Sequence, residues 1–285
     1  MIKKKNWSFI IMTTLLLSFV CAVIILPFMH MIAVSFSSST EAMKGTVGLI
    51  PKGFNIEMYK KVFENKEILT SYRNTIVYTT IGTTLSLVVT SMGAYALSKK
   101  SFIGYRVFSF MIIFTMFFSG GMIPTYLIVR ELGILDTMWC CILPTAVTTW
   151  NFIIMRSFFS AFPHEIEEAG AIDGLNDIGI FLRLVVPSSK AVFATIGLYY
   201  AVGLWNAYFG PFIYLSDREL FPLQLILREV LAYGTASADG GADTAVSEAS
   251  LKYATILVSV LPIMCVYPFI QKYFAKGVMI GSVKG

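Results

Sequence analysis

Long apolar stretches separated by short charged ones set the architecture of this chain. The hydrocarbon core of a bilayer is about 30 Å thick and needs about 20 helical residues to cross it. Six stretches of that order lie between charged boundaries, approximately 7–34, 74–97, 107–129, 138–159, 191–215 and 253–273. The pattern predicts an all-α integral membrane protein with six transmembrane helices, forming a single domain over 1–285. Lys3, Lys4 and Lys5 precede the first stretch as they would a secretory signal. Its apolar run is about twice a typical signal core, so it reads as a retained helix.

Composition removes the soluble alternatives. Hydrophobic residues make up 56% of the chain, charged ones 14%, and the mean hydropathy is +0.72, far from a soluble globular domain. A net charge of +5 would point to nucleic acid in a soluble protein. Here the basic residues sit between apolar runs, where anionic headgroups of the lipid bilayer account for them and no nucleic-acid partner is expected. Leaving out the long, basic loop 35–73, Lys and Arg concentrate on the side that holds both termini. That side carries Lys3, Lys4, Lys5, Lys99, Lys100, Arg106, Arg156, Arg183, Lys190, Lys272, Lys276 and Lys284. Both termini are therefore expected in the cytoplasm. The second outer loop, 216–252, ends in a Gly/Ala/Ser-rich stretch, 235–249, expected to be mobile at its tip.

Between the fourth and fifth stretches lies 163–190, PHEIEEAGAIDGLNDIGIFLRLVVPSSK, which is amphipathic rather than spanning. Pro163 suits a helix start, and Glu165, Glu167 and Glu168 put negative charge in the first turns, where the helix dipole favours it. Asp173-Gly174 is a turn signal, Asn176 can cap a following helix, and Ile178, Phe181, Leu182 and Val185 recur at i, i+3, i+4 and i+7. The prediction is helix, turn, helix at the membrane surface, with an apolar face to the bundle and a small acidic knob to the cytosol.

Glu168-Ala169-Gly170, Asp173-Gly174-Leu175 and Leu184-Val185-Val186-Pro187 resemble the E-A-A…G…I-x-L-P loop of importer-type ABC permeases. Gly170 replaces the second alanine and Leu184 the distal isoleucine. The resemblance implies a cytoplasmic coupling helix that docks on an ATPase subunit through Glu165, Glu168, Ala169, Gly170, Asp173, Gly174 and Leu175. Further along, the stretch from Gly203 to Phe212 resembles the W-N-x-F-x-x-P-L segment of the carbohydrate-uptake, maltose-transporter-type family. Gly120–Tyr126 and Phe221–Leu225 are similar to its complex-oligosaccharide branch, and 276–285 to its cytoplasmic tail. The implied assembly is a homologous second permease subunit, an ATPase dimer carrying ATP and Mg, and an extracellular solute-binding protein, in a bacterial plasma membrane. Sugar or oligosaccharide import is the implied function.

No G-x-x-x-x-G-K-[ST] loop occurs, so ATP hydrolysis belongs to a separate subunit, and no catalytic or metal-binding constellation is expected in this chain. His30 and His164 read as boundary residues, and Cys21, Cys140, Cys141 and Cys265 as buried small apolar side chains within the stretches. The scarcity of ionisable residues within the stretches argues against the alternative, an ion-coupled secondary transporter. For a sugar path, aromatic faces and amide or hydroxyl groups are needed together. Trp205, Asn206 and Tyr208 supply one such cluster, and Thr149, Trp150 and Asn151 a second. Interfacial belts and interhelical bonds use the same residue types.

Overall fold

The computed structural model describes residues 7–233, 250–265 and 268; the glycine-rich 235–249 and the tail 276–285 lie outside the described residues. Every regular element among them is helical. In chain order they are α1 (Trp7–Ser35), α2 (Ser39–Met43), α3 (Glu57–Glu64), α4 (Lys66–Ala96), α5 (Tyr105–Phe117), α6 (Met122–Glu131), α7 (Met138–Ile142), α8 (Thr149–Ser160), α9 (His164–Ile172), α10 (Asp177–Ile180), α11 (Val186–Ser188), α12 (Lys190–Trp205), α13 (Phe209–Tyr214), α14 (Leu223–Tyr233) and α15 (Ser250–Cys265). Short 3-10 turns occupy Leu143–Thr145 and Arg218–Leu220, and a π-helical turn joins α10 to α11 over Phe181–Val185.

Two helices, α1 and α4, are long and apolar enough to cross a bilayer alone. Two bent pairs meet the same measure together, Met138–Thr145 with α8 across 52° and Asp177–Ser188 with α12 across 83°. The expected third stretch is two helices, because Ser119-Gly120-Gly121 interrupts it with Gly121 at φ +86°. The fourth bends where Pro144, which has no N–H to give, sits in the 3-10 turn. The fifth stops at Trp205 and resumes at Phe209 as α13.

Contacts gather the chain into two compact units, one from Met1–Ile68 with Leu227–Leu261 and the other from Leu69–Ile226 with Pro262–Gly285. In the first, the segment after α1 folds back onto the end of that helix. Phe36 stacks on Tyr59 and Phe54 at 4.7 and 5.6 Å, Ser35 Oγ lies 2.8 Å from the Tyr59 hydroxyl, and the Lys52 N–H donates to Ser37 Oγ at 3.0 Å. Ala33, Val34 and Val47 form a small core beneath. His30 sits at the same end, its Nδ1 3.0 Å from the Gly48 carbonyl.

In the second unit the core runs from Ala94 and Leu97 on α4 through Phe152, Met155 and Phe159 on α8 to Ile180, Phe181, Val185, Val192, Ile196 and Tyr200. Polar ties hold the far ends. Asn74 Nδ2 donates to the carbonyls of Glu219 and Phe221 at 2.7 and 3.2 Å, and the Leu223 N–H donates to Thr75 Oγ1 at 2.8 Å. Cys140 and Cys141 are buried, while Cys21 and Cys265 are exposed on the surface of the chain, against the expectation that all four pack inside.

Asp136 closes another tie. It is left-handed, at φ +56°, and its Oδ1 accepts the N–H groups of Ser216 and Asp217 at 2.8 and 2.9 Å, while its own N–H donates to the Tyr214 carbonyl. Those two donors hold its carboxyl below the usual carboxylate range, the Asp217 N–H contributing most. A depressed value means the tie stabilises at pH above the ordinary value near 4 and weakens as pH falls through the depressed one. Asp136→Ala is expected to lower the melting temperature of the detergent-purified protein by about 2 °C, since both lost bonds are solvent-exposed. Asp136→Asn, which keeps an acceptor oxygen and tolerates the left-handed backbone, lowers it less. The gap between wild type and Asp136→Ala stays flat from about pH 8 to 5 and narrows below about pH 4.

Candidate docking segment and pathway residues

The 163–190 segment is built around one helix ending. Helix α9 closes with Gly174 at φ +83°, its N–H bonding to the Ala171 carbonyl and the Leu175 N–H reaching back to the Gly170 carbonyl, each at 3.0 Å. This is a Schellman ending, which needs a left-handed residue where Gly174 stands. A Cβ on Gly174 would meet nothing within 4 Å, so the site is open to solvent. Gly170 is the opposite case. It is buried, and a Cβ there would lie 2.6 Å from Leu184 Cδ1, with Ile180 and Leu175 behind. Asn176 then caps α10, accepting the Gly179 N–H at 2.8 Å.

Of the residues proposed for docking, Glu165, Glu168, Ala169, Asp173 and Gly174 are exposed, Leu175 is half-buried and Gly170 is buried. The exposed ones are flanked in the chain by apolar residues that also face outward, with Ile172 86% and Ile178 68% exposed. The periodicity expects Ile178, Phe181, Leu182 and Val185 to share an inward face. Phe181 and Val185 are inward together with Ile180, whereas Ile178 and Leu182 point out. The π-helical turn over Phe181–Val185 changes the angular step per residue, which a pattern drawn at 3.6 residues per turn misses.

The three carboxylates in the first half of α9 read alike in sequence and differ in place. Glu167, on the same face as Gly170 three residues on, turns inward and is buried. Its Oε2 pairs with Lys99 Nζ, its Oε1 accepts from the Tyr95 hydroxyl at 3.3 Å, and His164 Nδ1 lies 3.8 Å from Oε2. Sequence reasoning reads Glu167 as a dipole complement alone, because its partners stand about 70 positions earlier.

The aromatic-amide clusters sit at helix breaks. Trp205, the last residue of α12, is buried with its ring edge-on to Tyr72 at 5.9 Å. It lines an apolar cavity of about 170 Å³ together with residues of 76–80, 198–202 and 262–263. Asn206 is exposed and returns its amide to the Val202 carbonyl at 2.9 Å. Tyr208 is half-buried against Phe212. In the other cluster, Thr149 Oγ1 lies 3.1 Å from Thr115 Oγ1, Asn151 is buried and Trp150 is 61% exposed. None of these three lines the cavity beside Trp205. Sequence reasoning did not find Tyr200, whose hydroxyl lies 2.7 Å from Thr90 Oγ1 and accepts the Thr148 N–H at 3.1 Å, joining α4, α12 and the start of α8.

Broken apolar helices and an outward acidic segment between α8 and α12 are features found in transport proteins. The model of the family described as binding-protein-dependent transport system inner membrane component matches residues 7–280. The chain belongs to that family. As an inner-membrane component it is 43% identical over 286 residues to Protein LplC of Bacillus subtilis (strain 168), covering 99% of this chain and 97% of the relative. It is 42% identical to the polygalacturonan/rhamnogalacturonan transport system permease protein YtcP of the same organism, covering 92% and 93%. Among solved structures, a chain of a bacterial ABC transporter involved in the import of the acidic polysaccharide alginate superposes with a TM-score of 0.85 at 35% identity, covering 96% of this inner-membrane component and 99% of that chain.

Proposed function

We propose that this chain is the permease subunit of a bacterial ATP-binding-cassette importer for an oligosaccharide. It crosses the membrane six times with both termini in the cytoplasm and pairs with a homologous permease. The 163–190 segment docks on an ATPase pair that binds ATP and Mg, and an external binding protein delivers the substrate. The observation that carries the reading is the exposed, small, acidic surface of α9 ending at Gly174, where the side chains stop short and a partner can approach closely. Closure of the ATPase pair moves this surface and switches the bundle between inward- and outward-open states. Trp205, Asn206, Tyr208, Thr149, Trp150 and Asn151 remain candidates for the path. Two relatives carry names that specify polygalacturonan/rhamnogalacturonan and alginate, which places acidic oligosaccharides first among substrates to assay.

Affinity purification from native membranes tests the docking. Wild-type permease brings down an ATPase and a second permease. Gly174→Arg, which adds bulk to the docking surface, loses about tenfold of the ATPase, or roughly 1.4 kcal/mol of docking, and keeps the second permease. Gly174→Ala separates the causes, since it strains the left-handed ending without the bulk. Equal recovery of ATPase with wild type and Gly174→Arg overturns the docking assignment.

A further inference from the structure

Glu167 belongs to the docking segment in sequence but not to its outward surface. It is buried, and a buried carboxylate requires a partner of opposite charge. That partner is Lys99, just beyond the end of α4, and the second is the Tyr95 hydroxyl on its last turn. Lys99 Nζ also stands 5.0 Å from the centroid of the Tyr95 ring, and that ring packs on Phe181 of the π-helical turn at 4.9 Å and on Phe159 of α8 at 6.0 Å. Four elements, α4, α8, α9 and the π-helical turn, thus meet at Tyr95, and the charged corner of the junction is Glu167 with Lys99.

The backbone entering α9 is non-helical over 161–163. Among the described residues, every side-chain hydrogen bond and ion pair that ties α9 to a distant part of the chain runs from Glu167 to Tyr95 and Lys99. Without that tie, a push on the exposed face of α9 meets only apolar packing and a non-helical entry. With it, α9 and the end of α4 form one lever, and α4 is among the longest helices in the protein.

We infer that Glu167 is a positioning residue that transmits movement of α9 into α4 through its pairing with Lys99 and Tyr95. The inference rests on α9 being the ATPase-docking element proposed above. Glu165 and Glu168, two residues before and one residue after the inward position, remain on the outward surface, so docking and transmission fall to different carboxylates of the same helix. An exchange of charge between positions 99 and 167 is therefore expected to keep transmission, where neutralising either one loses it.

The test compares the complete importer in two states, nucleotide-free and with vanadate-trapped MgADP, by amide hydrogen exchange. Wild type responds in both α9 and the end of α4, residues 93–99. With Glu167→Gln or Lys99→Gln, the ATPase still copurifies and α9 still responds, while the response at 93–99 falls about tenfold, within the usual range of coupling between sites. The combined exchange, Glu167→Lys with Lys99→Glu, restores it. A response at 93–99 that survives Glu167→Gln overturns the inference, as does an exchange variant no better than the single ones. If the single variants do not accumulate in the membrane, the exchange decides alone: recovery of accumulation and response supports the pairing, and failure of either overturns it. A wild-type α9 that ignores the trapped nucleotide overturns the docking reading and this inference with it; a wild-type α9 that responds with no change at 93–99 overturns this inference only.

Discussion

Phe159→Ala is expected to destabilise the permease by about 3 kcal/mol, the low end for removing a fully buried aromatic. The ring is 2% exposed and meets four others, Tyr95, Phe158, Phe181 and Phe193, at 6.0 to 6.3 Å between centroids. In a bilayer the transfer part of the loss shrinks, because lipid tails are as apolar as the core. The contacts forfeited around an unfilled cavity remain. For a chain of this size the melting temperature of the purified protein falls by roughly 6–12 °C. Phe159→Leu, which fills most of the space, is expected to lose less than half as much. A fall of under about 2 °C for Phe159→Ala would mean that this core is loose enough to collapse around the gap.

Gly170→Val is the second large effect, and its origin is overpacking. A first carbon at Gly170 already lies 2.6 Å from Leu184 Cδ1 and 3.4 Å from Ile180 Cγ1. Leu184 can swing its terminal methyl aside for that one atom, but two further methyls meet Ile180 and Leu175 as well. A cost of about 1–3 kcal/mol follows, with α9 displaced from the helices beneath it. The double variant Gly170→Val with Leu184→Ala is expected to recover at least half of the lost stability, since the two side chains would compete for one space. Additive losses in the double variant would place the strain elsewhere.

Besides Val186 in place of the pattern's leucine, the chain departs from E-A-A…G…I-x-L-P at Gly170 and Leu184, and these two are packed side by side. Two separate departures in the sequence are one packing arrangement in the fold, a smaller residue facing a differently branched one. Much else was legible directly. The first apolar stretch ends within a residue of α1, Gly174 takes the left-handed turn that Asp173-Gly174 announces, and Asn176 caps as its spacing predicts. These are local matters, decided by residues a few positions apart. What escaped was set by distant or cumulative causes. Hydropathy averages straight through Gly120-Gly121 and Pro144, so helix breaks inside apolar stretches are invisible to it. The inward turn of Glu167 depends on Lys99 and Tyr95, and the role of Tyr200 on Thr90 and Thr148. In each case the partner lies 50 or more positions away.

The π-helical turn at Phe181–Val185 has a bearing on how such permeases can be recombined. One residue in an α-helix corresponds to about 100° of rotation. A chimera joined between the Asp173-Gly174 turn and Phe181, with a donor lacking the wide turn, would keep every motif letter and still present the wrong side of α12 to its neighbours. The unit of exchange is therefore the whole span from α9 to Ser189, because it fixes a rotational phase as well as a docking surface.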